Sequence, residues 1–163
     1  MRARDLINLL EGEPSKEDHF RERTNLHISL VKKFLGKILD LRDPRLNPAI
    51  LLAEMSHDQS KFEAPEYEPY LYVNWTYYMK DQGREYNPPE DIKVQMDAAT
   101  LHHVTHNPHH PEYWSPNPFI NTKNRDEAPE EIVDASSMPL SYVASMVADW
   151  LAMSEEKGTC PYL

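Results

Sequence analysis

The chain has 163 residues, a formal net charge of −10, eight histidines and a single cysteine. That length suits one domain, 1–163, which can bury its own core without a disulfide, and the lone Cys160 fits a reducing, cytoplasmic setting. The acidic balance argues against extended nucleic acid as a partner, no apolar run approaches the roughly 18 residues of a membrane span, and residues 1–10 lack the long apolar stretch of a signal peptide.

Glycine is scarce (4) and proline plentiful (14), so the prolines act as punctuation between helices. Residues 3–10 read as a short helix ended near Gly12 and Pro14. The clearest helix runs from Ser15 to about Leu41. Ser15 can cap it, and Glu17 and Asp18 suit the positive end of its dipole. Phe20, Thr24, His27, Val31, Phe34, Ile38 and Leu41 recur at spacings of four and three, which makes one face. A second helix is predicted from about Pro48 to Asp58, largely buried through Ile50, Leu51, Ala53 and Met55, with His57 and Asp58 at its end. The aromatic-rich stretch from Tyr67 to Lys80 follows, stopped by Gly83.

Pro88 and Pro89 suit the start of a helix that runs to about His106, with Ile92, Met96, Ala99, His103 and His106 on one face. Residues 107–138 are rich in proline and poor in apolar runs, so a long irregular loop is expected there, of the kind that often carries function. Ser136 or Ser137 then caps a last helix, with Pro139 in its first turn, that continues to about Glu156. The reading is all-α: a single helical bundle with a long irregular loop before the last helix.

Three features draw attention to metal chemistry. His27 lies inside an apolar stripe, where a buried imidazole must find a partner. His57-Asp58 pairs an imidazole with a carboxylate, a donor set that suits a borderline divalent ion such as Mn, Fe, Co, Ni or Zn. Being neighbours on a helix, the two would reach one ion only over the helix end, where side chains splay. Asp149 sits in the run Met146-Val147-Ala148-Asp149-Trp150-Leu151-Ala152-Met153, where an uncompensated carboxylate is costly to bury and no Lys or Arg lies within a turn.

A histidine on one helix, a His-Asp pair ending a later one and an aspartate on a later one still resembles the H…HD…D order of HD-domain metal-dependent phosphohydrolases. The matching positions are His27, His57, Asp58 and Asp149. His57-Asp58-Gln59-Ser60-Lys61-Phe62, the stretch from Leu101-His102-His103 to His109-His110-Pro111-Glu112-Tyr113-Trp114, and Ala148 to Ser154 also resemble a family of small phage and bacterial HD-like proteins of unknown activity. The resemblance spans roughly residues 24–156. It implies an HD-like bundle holding one or two divalent ions, and hydrolysis of a small anionic phosphoester such as a nucleotide. In several branches of the superfamily a lysine follows the His-Asp pair and faces substrate phosphate. Lys61 stands in that place, although Ser60 replaces a glycine common there. The resemblance thus assigns catalytic work to Asp58 and Lys61. The extended signature of cyclic-dinucleotide phosphodiesterases is absent, and His109-His110-Pro111-Glu112 only echoes its start.

Five of the eight histidines fall between His102 and His110, a density that a one-ion site leaves unexplained. A second ion, about 3.5–4 Å from the first, needs its own ligands and a bridging carboxylate, for which Asp58 is the natural choice. His103 and His110 are the preferred second-ion ligands, with His106 and His109 as alternatives. Glu112 can orient a ligand histidine. Lys61, Arg23 and Trp114 are candidate substrate contacts, Trp114 serving equally as cover for the core. Alternative functions are a di-iron oxygenase of the HD superfamily and a non-catalytic, metal-stabilised binding protein.

Overall fold

The computed structural model describes residues 13–117 and 133–159. They form six α-helices in the order α1 (Lys16–Asp40), α2 (Pro48–Ala53), α3 (Tyr67–Asp81), α4 (Glu90–His106), α5 (Pro111–Trp114) and α6 (Leu140–Lys157), with 3₁₀ turns at Glu54–Ser56 and Gln59–Phe62. No strand occurs among the described residues, so the fold is all-α. The short helix expected over residues 3–10 lies outside the described residues, as do Cys160 and residues 118–132 of the expected loop.

Helix α1 is the spine. The Ser15 hydroxyl accepts the Asp18 amide at 3.1 Å, as the capping pattern requires. Its stripe is buried from Phe20 through Thr24 and His27 to Val31, and Leu35 joins it. Leu41 falls just past the helix end and is exposed. One flank of α1 takes α6 and the other takes α3; α4 lies on α3, α2 on α6, and α5 on α4.

This arrangement creates two apolar clusters on one helix. Toward the C-terminal end of α1, Val31 and Leu35 pack with Leu51, Ala148 and Ala152. Toward its N-terminal end, Phe20 packs with Tyr70 and Ala99, and meets Phe62 and Tyr67 edge-on with ring centroids 5.4 and 5.7 Å away. Burying a side chain such as Phe20, Leu35 or Leu51 contributes about 1.5–3 kcal/mol. Ala148 and Ala152 are small, which lets α6 approach α1 closely and brings Asp149 toward His27. His27 sits between the two clusters, so the apolar ends of the bundle fix the polar middle.

Several local expectations are corrected. The helix expected to reach Asp58 ends at Ala53, where Asn47 caps a helix of only two turns. Of Ile50, Leu51, Ala53 and Met55, only Leu51 is fully buried, and Leu52 is exposed. His57 and Asp58 therefore do not crown a helix. They follow the first 3₁₀ turn, and Asp58 takes a left-handed conformation at φ 60°, uncommon for a residue with a side chain. The expected loop is interrupted by α5, which begins at Pro111 where a missing N–H costs nothing. Neither Ser136 nor Ser137 caps α6; Pro139 occupies that position, and the Ser136 amide turns back to Asp134. The stop at Gly83 is as expected, with a positive φ of 68°.

Candidate metal centre

The four residues of the H…HD…D order meet. His27 comes from the middle of α1, Asp149 from the middle of α6, and His57-Asp58 from the tight turn between the two 3₁₀ segments. His27 Nε2 lies 2.9 Å from Asp149 Oδ1 and 3.6 Å from Asp58 Oδ2. His57 Nε2 lies 3.6 Å from both Asp149 Oδ1 and Asp58 Oδ1. The left-handed turn at Asp58 makes this possible. It reverses the chain so that neighbouring side chains converge, which a continuing helix would not allow.

A second cluster adjoins the first through the other oxygen of Asp58. His103 Nε2 is 3.1 Å and His109 Nε2 3.8 Å from Asp58 Oδ1. Ring nitrogens of His103, His109 and His110 lie within 4.8 Å of one another, and His27, His57 and Asp149 form an equivalent trio. Glu54, His57 and His109 form a third such group. Asp58 thus has His27 against Oδ2 and His57, His103 and His109 against Oδ1.

The expected pair His103 and His110 is present, and His109, named as an alternative, joins it. His106 does not belong. The buried stripe of α4 ends at His103; His106 is exposed, with Nδ1 2.8 Å from the His102 carbonyl.

Tautomers test whether these donors fit a cation. A neutral imidazole carries one N–H and one lone pair. His103 Nδ1 lies 2.8 Å from Glu66 Oε2 and His109 Nδ1 lies 3.1 Å from Glu54 Oε2. Carboxylates only accept, so each Nδ1 carries the proton and each Nε2 presents a lone pair. Both Nε2 atoms and Asp58 Oδ1 are buried without a hydrogen-bond partner among the described residues. Acceptors facing one another out of water are costly, and a cation between them satisfies all of them at once. The residues around Asp58 Oδ1 fit a divalent ion.

Charge bears on the two clusters differently: an ion at His27 would have to displace a proton, whereas one at His109 would not. Burial alone would raise the Asp58 carboxyl, but its neighbours, the Lys61 ammonium foremost, hold it well below the usual range. Asp149 is likewise held low against its burial, by hydrogen bonds to His27 and His57. Burial opposes protonation of His27, yet Asp149, Glu156 and Asp58 outweigh it and raise it to about 9. His109 is lowered, chiefly by burial, which favours the neutral ring that a ligand must be.

Lys61 places its ammonium 2.5 Å from Asp58 Oδ2 and 5.2 Å from the centre of the Tyr70 ring. It and Asp149 keep partial contact with solvent, whereas His57, Asp58, His103 and His109 are buried, so the cluster opens on the Lys61 side. Arg23, expected near substrate, is turned the other way. Its Nε pairs with Glu156 Oε1 at 2.7 Å and its other arm meets Asn74. Glu156 Oε2 in turn faces His27 Nδ1 at 3.6 Å, so Arg23 stands behind a ligand rather than in front of it. The Trp114 indole N–H donates to the Pro108 carbonyl at 2.8 Å and its ring tilts against Tyr142, which makes it cover for the turn bearing His109 and His110. Glu112 is buried in α5.

Sequence reasoning missed Glu54, Glu66 and Glu156. Glu54 sits in the apolar run Ile50-Leu51-Leu52-Ala53-Glu54-Met55, and the argument applied to Asp149 finds it. Glu156 lies two helical turns after Asp149 on the same face, a signal of equal strength. Glu66 follows Pro65 outside any periodic element and leaves no comparable trace.

Fold and cluster together define an all-α protein with a buried histidine–carboxylate centre able to hold a metal ion. Residues 16–161 match the family described as a family of unknown function (DUF5662), and the chain belongs to it. No curated protein and no solved structure matches the chain. Among the described residues, no helix is long and apolar enough to cross a membrane.

Proposed function

We propose that the protein is a metal-dependent phosphohydrolase of the HD type, acting on a small phosphoester, with a nucleotide as the substrate class. The observation that carries this reading is Asp58, a buried carboxylate whose Oδ2 faces His27 and whose Oδ1 faces His57, His103 and His109, so that it joins both clusters. His27, His57, Asp58 and Asp149 would hold one ion, and Asp58, His103, His109 and His110 the other. Bound divalent ions supply an acidified water and neutralise charge on phosphate oxygens. The metal is drawn from Mn, Fe, Co, Ni and Zn, in keeping with a mixed imidazole and carboxylate donor set.

The chain's own residues do the rest. Asp58 and Asp149 supply fixed negative charge that keeps cations in a strongly acidic protein's interior. Lys61, at the solvent side, binds phosphate as a mobile point charge, leaving Asp58 to the ions. The buried rings of His57, His103 and His109 exclude bulk water from the far side of the centre. Elemental analysis of the purified protein, followed by a phosphate-release assay on a nucleotide panel with each of the five metals, tests the reading. Release from at least one nucleotide, absent in Asp58→Ala, is the expected result. A metal-bearing protein inactive across the panel would overturn it.

We propose as a second reading oxygen chemistry at two irons, which the histidine-rich second cluster permits. Bound iron with an optical signature that changes on reduction is the result that would select that reading over hydrolysis.

A further inference from the structure

Each cluster has carboxylates behind it as well as within it. Glu66 is fully buried on the 3₁₀-to-α3 junction. Its Oε2 accepts from His103 Nδ1 and its Oε1 from His102 Nδ1, both at 2.8 Å, and Ser60 Oγ donates to Oε2 at 3.0 Å. Glu54, also buried, accepts from His109 Nδ1 at 3.1 Å and from Ser145 Oγ at 2.9 Å through one oxygen. Glu156 is held by Arg23 through Oε1 and directs Oε2 at His27 Nδ1. At 3.6 Å that last pair is not yet a hydrogen bond. Both atoms are nevertheless buried without another partner among the described residues, so a few tenths of an ångström of closure satisfies both.

The pattern is selective. His103 and His109, on the Asp58 Oδ1 side, are backed by Glu66 and Glu54. His27, on the Oδ2 side, is backed by Glu156. His57, whose ring reaches both sides, is the exception: its Nδ1 has no hydrogen-bond partner among the described residues. An acidic residue behind an imidazole does two things. It assigns the proton to Nδ1, leaving Nε2 to the ion, and it makes that nitrogen a better donor.

We infer that Glu54, Glu66 and Glu156 are positioning residues that tune the two ion positions separately, Glu54 and Glu66 serving the His103–His109 position and Glu156, held by Arg23, serving the His27 position. The inference rests on the metal-binding part of the proposed function and deepens it. None of the three needs to touch an ion or substrate. Exchange of Glu66 for glutamine illustrates the mechanism. The amide keeps the shape of the side chain but offers only one accepting atom where two histidines and a serine now donate. If His103 loses its acceptor, its proton moves to Nε2 and the ring faces Asp58 with an N–H in place of a lone pair.

The test is titration of the metal-stripped full-length chain with Co(II), following visible absorption and calorimetric stoichiometry. Wild type is expected to fill two positions. Glu66→Gln and Glu54→Gln are expected to weaken one position by about 10–100-fold and leave the other in place, whereas Glu156→Gln weakens the opposite one by a similar factor. His102→Ala, which removes only the outer donor on Glu66, should leave both intact. Circular dichroism and the thermal midpoint identify any variant that fails to fold. Glu54→Gln and Glu66→Gln report on the same position, so either one carries the test. Equal weakening of both positions by all three variants, or no weakening by any, overturns the inference while leaving metal binding standing. A wild-type chain that takes up no Co(II) overturns both the inference and the proposed function.

Discussion

The two sides of the centre are built on different principles. On the His27 side, the donors ride on long helices packed lengthwise, at positions fixed by the same periodicity that buries Val31 and Leu35 on α1 and Ala148 and Ala152 on α6. On the His103 side, one donor sits in the last turn of α4, and the others lie in the short turn that leads into α5. There the rings are aimed by buried carboxylates, Glu66 and Glu54, and by prolines flanking His109-His110 rather than by helix packing. His109, set by a turn, takes its polar support from Glu54, whereas His57, also in a turn, has no hydrogen-bond partner at Nδ1 among the described residues.

The comparison fails outright if the shared residues do not join the two sides, and this is where the largest effect is expected. His57→Ala with Asp58→Ala should strip both ions, with metal content falling more than about 100-fold in affinity terms, beyond what loss of outer support costs. Elemental analysis beside wild type reads this directly, and equal metal content in both proteins would refute a centre at these residues.

The next effect separates the sides. Asp149→Ala should empty the His27 position and keep the His103 position, and His103→Ala should do the reverse. Stoichiometry by calorimetry distinguishes the two. If either substitution removes both ions, the sides are one site and the distinction drawn above is wrong.

A smaller change is expected from Lys61→Met. On metal-loaded protein the KM for the best nucleotide should rise about tenfold, equivalent to about 1.4 kcal/mol, with the thermal midpoint nearly constant. Unaltered KM would make Lys61 a counter-ion of Asp58 and nothing more.

The least effect on the centre belongs to Leu35→Ala. It removes fully buried side-chain volume at the C-terminal end of α1 and should cost about 2–5 kcal/mol in denaturant unfolding. Ion stoichiometry below the transition should stay at the wild-type value. A lost ion would mean that the apolar end and the polar middle are less separable than their geometry implies.

Much of this was legible in the sequence where periodicity ruled. The spacing of Phe20, Thr24, His27 and Val31 marks the buried face of α1, and the Pro88-Pro89 and Gly83 signals bound α3 and α4 closely. His27, His57, Asp58 and Asp149 could be grouped because their order matches a known pattern, and the fold brings them together. What was not legible depended on short-range backbone geometry. Nothing in Met55-Ser56-His57-Asp58 announces a helix that stops at Ala53 or an aspartate with positive φ, since Asp adopts that conformation only when its surroundings demand it. Choosing His109 over His106 required knowing that the stripe of α4 loses its cover one turn early. Arg23 illustrates a further limit. Its distance from His27 along the helix was evident, but the acidic partner that captures it comes from α6, the helix packed against α1.

That packing of α6 along α1 has a consequence for how the molecule comes into being. A growing chain leaves the ribosome N-terminus first. His27, His57, Asp58 and the whole of the His103–His110 segment emerge well before Asp149, and so do Glu54 and Glu66. The His103 side can be assembled by a nascent chain, whereas the His27 side stays one carboxylate short until α6 docks. An ion seated between His27 and Asp149 would then act as a clasp between α1 and α6, binding only once the two are packed and lending that packing mass-action stability that grows with the free metal concentration.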